Sequence, residues 1–186
     1  MPSQNPRLPD SDKRKLYILL TRFPGLDSDA LHWWTRFPYT HASIGLDEDM
    51  NTFYSFVVKG FIVEDISRYN SKPGRAPFPC ALYELEVSRI VYEKARQILR
   101  KFVSNRSALH YNTLGMLLSL IRIPSHRKCH YFCSHFVAEL LQRSNAAKLQ
   151  KRSTLYLPRD LHRLSGAKMV FQGDMLRMSQ QYPAFG

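Results

Sequence analysis

The sequence predicts an α+β fold in which an antiparallel β-sheet packs against helices. Three observations carry that prediction. Apolar and alternating segments rich in Val, Ile, Tyr and Phe dominate the first half of the 186 residues. Two of them, at 39–47 and 52–60, are separated only by the turn-like EDMN, as in an antiparallel hairpin. The helical patterns gather after residue 88, so strands and helices segregate along the chain rather than alternate.

The elements follow in order. Residues 1–14 are polar and proline-containing and read as a flexible tail, leaving 15–177 as a single domain and 178–186 as a second tail. KLYILLTRF, 15–23, is a β-prone apolar run stopped by Pro24-Gly25. DSDALHWWTRF, 27–37, offers Asp and Ser as caps for a short helix. YTHASIGLD (39–47) and TFYSFVVKG (52–60) form the hairpin, and FIVEDI (61–66) continues the sheet after Gly60. The proline-rich 67–79 is a loop, and CALYELEVS, 80–88, alternates as a strand should. The helix over 88–103 has Ser88 as its N-cap and Ile90, Val91, Ala95, Ile98, Leu99 and Val103 as its inner face. Shorter helices are expected at 112–121, 131–144 and, after Pro158, within 156–164. A last strand, 168–175, closes the fold, and the chain beyond about 177 is expected to fray.

Composition narrows the function classes. With 44% apolar and 23% charged residues the chain reads as an ordinary soluble domain. Its three cysteines are an odd number, which argues against a disulfide scaffold and fits a reducing compartment. The amino-terminal stretch lacks the apolar centre of a secretory signal, and no apolar run approaches the roughly 20 residues that span a bilayer. A cytoplasmic location is expected. The net charge of +12 favours an anionic partner. The cations are scattered, however, and neither an RNA-binding fingerprint nor zinc-finger spacing is present, which argues against nucleic acid.

The chemistry concentrates in RKCHYFCSHFVAELL, 127–141. Cys129, His130, Cys133 and His135 all carry metal-ligating atoms, but no second Cys/His pair answers them elsewhere, so no metal and no cofactor are expected. Cys133 shares a helical face with Phe136, Val137, Leu140 and Leu141, which alone describes a core cysteine. Two features point further. Cys133 falls in the first turn of its helix, where the helix dipole favours a thiolate and unpaired N–H groups can meet an oxyanion. His41, in phase with the small Ser43 and Gly45, is a possible imidazole partner at long sequence range.

These segments together are familiar. FPYTHASIGLD, then FYSF, then HYFCSHFVAELL resemble the circularly permuted papain-like cysteine hydrolases, the YiiX-like branch of the NlpC-type amidase superfamily, related to the lecithin:retinol acyltransferase group. The resemblance spans roughly 16–175. The histidine strand precedes the cysteine helix, which is the permuted order. It implies a permuted papain-like fold with the nucleophile at a helix N-terminus. Cys133 takes the nucleophile's place, His41 the general base's, and Ser55 the place of the third residue that orients the imidazole. Serine departs from the usual acidic residue there, and Glu64, Asp65 and Asn112 are alternatives. Tyr39 and Tyr131 are candidates for an oxyanion donor beside the Cys133 N–H. The implied reaction is cleavage or transfer of a peptide, isopeptide or lipid-derived amide or ester, with an anionic substrate favoured by the charge. Trp33, Trp34, Phe37 and Tyr39 either line a cleft before His41 or belong to the core. The alternative reading is a non-catalytic binding module on the same fold.

Overall fold

The computed structural model describes residues 12–22, 33, 36–47, 49–69 and 78–181. The first eleven residues, and most of the helix expected over 27–37, lie outside the described residues. The architecture is α+β: one six-stranded antiparallel sheet with helices against it. Its strands are β1 (Lys13–Thr21), β2 (His41–Leu46), β3 (Asp49–Val57), β4 (Gly60–Asp65), β5 (Pro79–Ser88) and β8 (Ala167–Asp174), in the order β4-β3-β2-β1-β5-β8. The helices are α1 (Arg89–Ser104), α2 (Thr113–Leu120), α3 (Cys133–Ser144), α4 (Pro158–Leu161) and α5 (Met175–Gln181).

β1 is central because both its faces are apolar. Leu16, Ile18 and Leu20 enter one core with Ala42, Ile44 and Phe56 of the neighbouring strands and Phe102, Phe136 and Leu140 of α1 and α3. Tyr17 and Leu19 enter a smaller one with Phe53, Cys80, Leu82, Met175 and Met178. Alternation thus assigns each side chain a face. The carboxyl-terminal β8 comes back to pair with β5, Leu82 opposite Phe171.

Several expectations shift. β1 begins at Lys13, inside the expected tail, because Lys13 and Lys15 pair with Glu86 and Glu84 across β5 at 3.1 and 2.9 Å. Asp49–Asn51, expected as turn, already belong to β3. Ser88 caps α1 as expected, accepting the Val91 N–H. The inner face of that helix is Tyr92, Ala95, Ile98, Leu99 and Phe102, while Ile90 is 80% exposed and Val103 also lies outward. The two aromatics set the helical phase, since positions 92, 95, 99 and 102 form one stripe. Of the stretch expected to fray, 178–181 belong to α5 and 182–186 lie outside the described residues; Asp174 Oδ1 accepts the Arg177 N–H at 2.9 Å, and Met175 and Met178 are buried. Burying two methionines contributes about 1.5–3 kcal/mol each. The sequence reading missed the short parallel pair β6 (His110–Tyr111) and β7 (His130–Tyr131). With the Asn112 N–H donating to the Tyr131 carbonyl at 2.9 Å, that pair fixes the chain immediately before α3.

Candidate functional site

Cys133 opens α3. The residue before it, Phe132, is extended and offers no side-chain cap, so the first N–H groups of the helix stay open to other acceptors. One of them, on Ser134, donates to the Cys133 sulfur, and so does the Ala42 N–H of β2. The Ser134 hydroxyl donates to the Tyr156 carbonyl at 2.7 Å, which pins the first helical turn. Phe136, Val137, Leu140 and Leu141 anchor the rest of α3 in the larger core.

His41 is the first residue of β2 and lies opposite Thr21. The β2–β3 ladder runs from Ile44↔Tyr54 to Leu46↔Asp49, so His41, Ala42 and Ser43 extend beyond it. There the Ser55 hydroxyl donates to the Ala42 carbonyl at 2.6 Å instead. Across β3, Phe53 stands opposite both Gly45 and Glu64, and Ser55 opposite Ile62. The Phe53 ring leans over Gly45, where an added Cβ would come within 2.9 Å of it. The small Ser55 beside it lets the Glu64 carboxylate cross β3 toward β2. Glu64 Oε1 lies 3.3 Å from His41 Nε2, and Glu64 Oε2 accepts the Ser43 hydroxyl at 2.9 Å. With Nε2 turned to Glu64, Nδ1 is the ring nitrogen left for the Cys133 side chain, with which His41 is hydrogen-bonded.

The electrostatics follow from these contacts. Burial disfavours a charged His41 ring, but the hydrogen bond to Cys133, the Glu64 carboxylate 3.3 Å from Nε2 and the negative charge of both outweigh it and raise its pKa to about 10. Burial also disfavours a Cys133 thiolate. The His41 hydrogen bond and charge, with the Ala42 and Ser134 N–H groups, outweigh that too and lower the thiol's pKa. Both shifts run in the direction that favours a thiolate–imidazolium pair, with a carboxylate behind the ring. Cys133 is 6% and His41 8% exposed, so the pair is screened little by solvent. Such a group can attack a carbonyl carbon, hold the resulting oxyanion near helix-start N–H donors and return a proton to a leaving group.

The remaining candidates fall elsewhere. Ser55, the expected imidazole orienter, spends its hydroxyl on Ala42, and Glu64 makes the ring contact. Asp65, the next residue on β4, accepts from Ser67 and Arg68. Asn112 caps α2 by accepting the Gly115 N–H at 2.9 Å. Tyr131 directs its hydroxyl to Glu139 at 3.4 Å, and burial and then the Glu139 charge push its pKa up to about 12. The Tyr39 hydroxyl accepts from Gln172 Nε2 at 3.3 Å and reaches the Cys80 carbonyl at 3.5 Å. Both oxyanion candidates are thus engaged away from the sulfur. Phe37 packs edge-on to Tyr39 and stacks on His162, Trp33 is exposed, and Trp34 lies outside the described residues. Of the cluster around Cys133, His135 is committed to Glu139 at 3.1 Å and His130 Nδ1 to the Lys128 carbonyl at 2.8 Å. Sequence reasoning gave no role to Ser43 beyond its size, nor to the Ala42 N–H. The legible signal for Glu64 was a carboxylate set in an apolar strand.

No protein-family model, curated protein or solved structure matches the chain. No helix among the described residues is long and apolar enough to cross a membrane.

Proposed function

We propose that the chain is a cysteine-dependent hydrolase or acyltransferase of the permuted papain-like kind, acting on a peptide, isopeptide or lipid-derived amide or ester. The observation that carries this reading is the buried line Cys133–His41–Glu64, with its sulfur at the start of a helix. The order of the elements, histidine strand before cysteine helix, supports the permuted assignment. In this reading the Cys133 thiolate forms a bond to the acyl carbon. The oxyanion is met by N–H groups at the start of α3, and His41 gives its proton to the leaving nitrogen or oxygen as that bond breaks. Water or another acceptor, deprotonated by His41, then attacks the thioester and frees the sulfur. Glu64 holds the ring in orientation and stabilises its charged form. A binding module that keeps the pair as structure is the second reading, favoured by the near-complete burial of both side chains.

Alkylation with iodoacetamide separates the two. Cys133 should label faster than Cys80 and Cys129 at neutral pH, and His41→Ala should slow it at least about tenfold. Equal, slow labelling of all three thiols would overturn the enzyme reading.

A further inference from the structure

A cavity of about 500 Å³ lies between the end of α2 and the segment 151–163. Among the described residues, five cations line it: Arg36, Arg122, Lys151, Arg159 and Arg163. Asp160, the acidic residue among the described lining, is already engaged, by the Leu157 N–H at 2.7 Å and by Lys151 at 2.9 Å. The described lining therefore carries four more positive than negative charges, which favours an anion.

The backbone adds an independent observation. Arg122 stands where a helix ends in a left-handed residue, with φ +62°. The Ile123 N–H returns to Leu118 and the Arg122 N–H to Ser119, which is the hydrogen-bond pattern that ordinarily takes glycine. Asn145, which tolerates that conformation, fills the left-handed position after α3. Arg36, which also lines the cavity, has positive φ too, +50°. Two arginines thus hold unfavourable backbone while their side chains line one cavity, a pattern that marks binding sites.

We propose that this cavity binds a phosphoryl group. Four of the five cations are arginines, whose planar forks match phosphate oxygens in pairs, and a fourfold charge surplus suits a dianion better than a single carboxylate. Two of its walls continue into the supports of the Cys133–His41 pair. Phe37 lines it and packs against Tyr39, two residues before His41. Leu157 follows Tyr156, whose carbonyl holds Ser134. Resting on the function proposed above, the phosphoryl group is the anionic end of the substrate. The binding site itself stands without that function.

Calorimetric titration with inorganic phosphate tests it, on the wild type and on Cys133→Ala. Both should bind phosphate more tightly than chloride at matched ionic strength, whether or not the cysteine is catalytic. Arg122→Gly should weaken binding about tenfold while melting at or above the wild-type temperature, because glycine relieves the backbone. Arg163→Glu should weaken it further. Glycerol phosphate and phosphatidylcholine vesicles doped with phosphatidic acid distinguish a soluble ester from a lipid headgroup, and binding of either upholds the site. Phosphate binding no tighter than chloride, or unchanged in Arg122→Gly and Arg163→Glu, overturns it.

Discussion

Cys80 and Cys133 are both hidden, at 0% and 6% exposure, and both lie near the same end of the sheet, since Thr21 stands opposite Cys80 on one side and His41 on the other. Their chemistry diverges. Cys80 sits among Leu82, Met175 and Met178, with its sulfur 3.9 Å from that of Met178. Burial and then the Asp174 charge push its thiol up to about 12. Cys133 is desolvated too but meets an imidazole and two N–H groups, and its thiol moves down. Depth alone therefore does not distinguish a structural cysteine from a reactive one. The partners decide, because a hydrogen bond or opposite charge is strongest where water is excluded.

The largest expected effect comes from changing each cysteine in turn. Cys133→Ala should lower hydrolysis of an activated aryl ester by about 10⁴-fold or more while the cooperative melt survives, because His41 keeps Glu64 as a partner. Cys80→Ser should do the reverse. The rate stays near wild type, and urea unfolding loses about 1–3 kcal/mol from a hydroxyl placed in an apolar pocket. If Cys80→Ser abolished turnover and Cys133→Ala did not, the comparison would be inverted.

A smaller effect tests what tunes Cys133. Glu64→Gln removes the charge that holds the ring protonated and should cost on the order of 10²-fold in kcat/KM, with the alkaline limb of the pH–rate profile moving below about 10. Glu64→Asp should recover part of the rate. Ser55→Ala should change the rate by less than about threefold and lose about 1 kcal/mol of stability with its bond to Ala42. A larger rate loss from Ser55→Ala than from Glu64→Gln would give the orienting role back to the serine.

That reversal between Ser55 and Glu64 shows where the sequence stopped being informative. Strand existence, the hairpin and a helix with Cys133 in its first turn, expected from 131 and found from Cys133, were legible because periodicity and local turn chemistry encode them. The pairing of His41 with Cys133 followed from residue type and the order of elements. The third residue depended on how β3 and β4 stagger, and on Phe53 leaning over Gly45 to leave a path beside Ser55. Register is a tertiary property, and a shift of one residue exchanges every side chain's face. Likewise α5 looked frayed because a seven-residue helix has weak local signal, and its stability comes from packing Met175 and Met178 against β5. The arginine cavity was invisible for the same reason: its cations are separated in sequence and converge only in the fold.

The smallest effect, and the most selective, is the dependence of stability on pH. His41 has its pKa raised on folding from 6.5 to about 10, so its stabilisation is complete below 6.5 and is lost as pH rises through about 10. Cys133 has its pKa lowered from 9.0, so its stabilisation is complete above 9.0 and is lost as pH falls through its folded value. The two act in opposite directions, the histidine limiting stability on the alkaline side and the cysteine on the acid side. Cys80 adds to the alkaline decline, since its unfolded thiol ionises near 9.0 while the folded one keeps its proton to about 12. The acid side is therefore the diagnostic one. As pH falls below about 6.5, above the range where ordinary carboxylates titrate, the unfolded chain takes up a proton on histidine that the folded pair already holds, and its thiol stays protonated. Urea midpoints should fall on that side in the wild type and in Cys80→Ser, and stay level in Cys133→Ala. An acid decline of the same size in Cys133→Ala would mean that other groups produce it and that no thiolate is held in the folded protein.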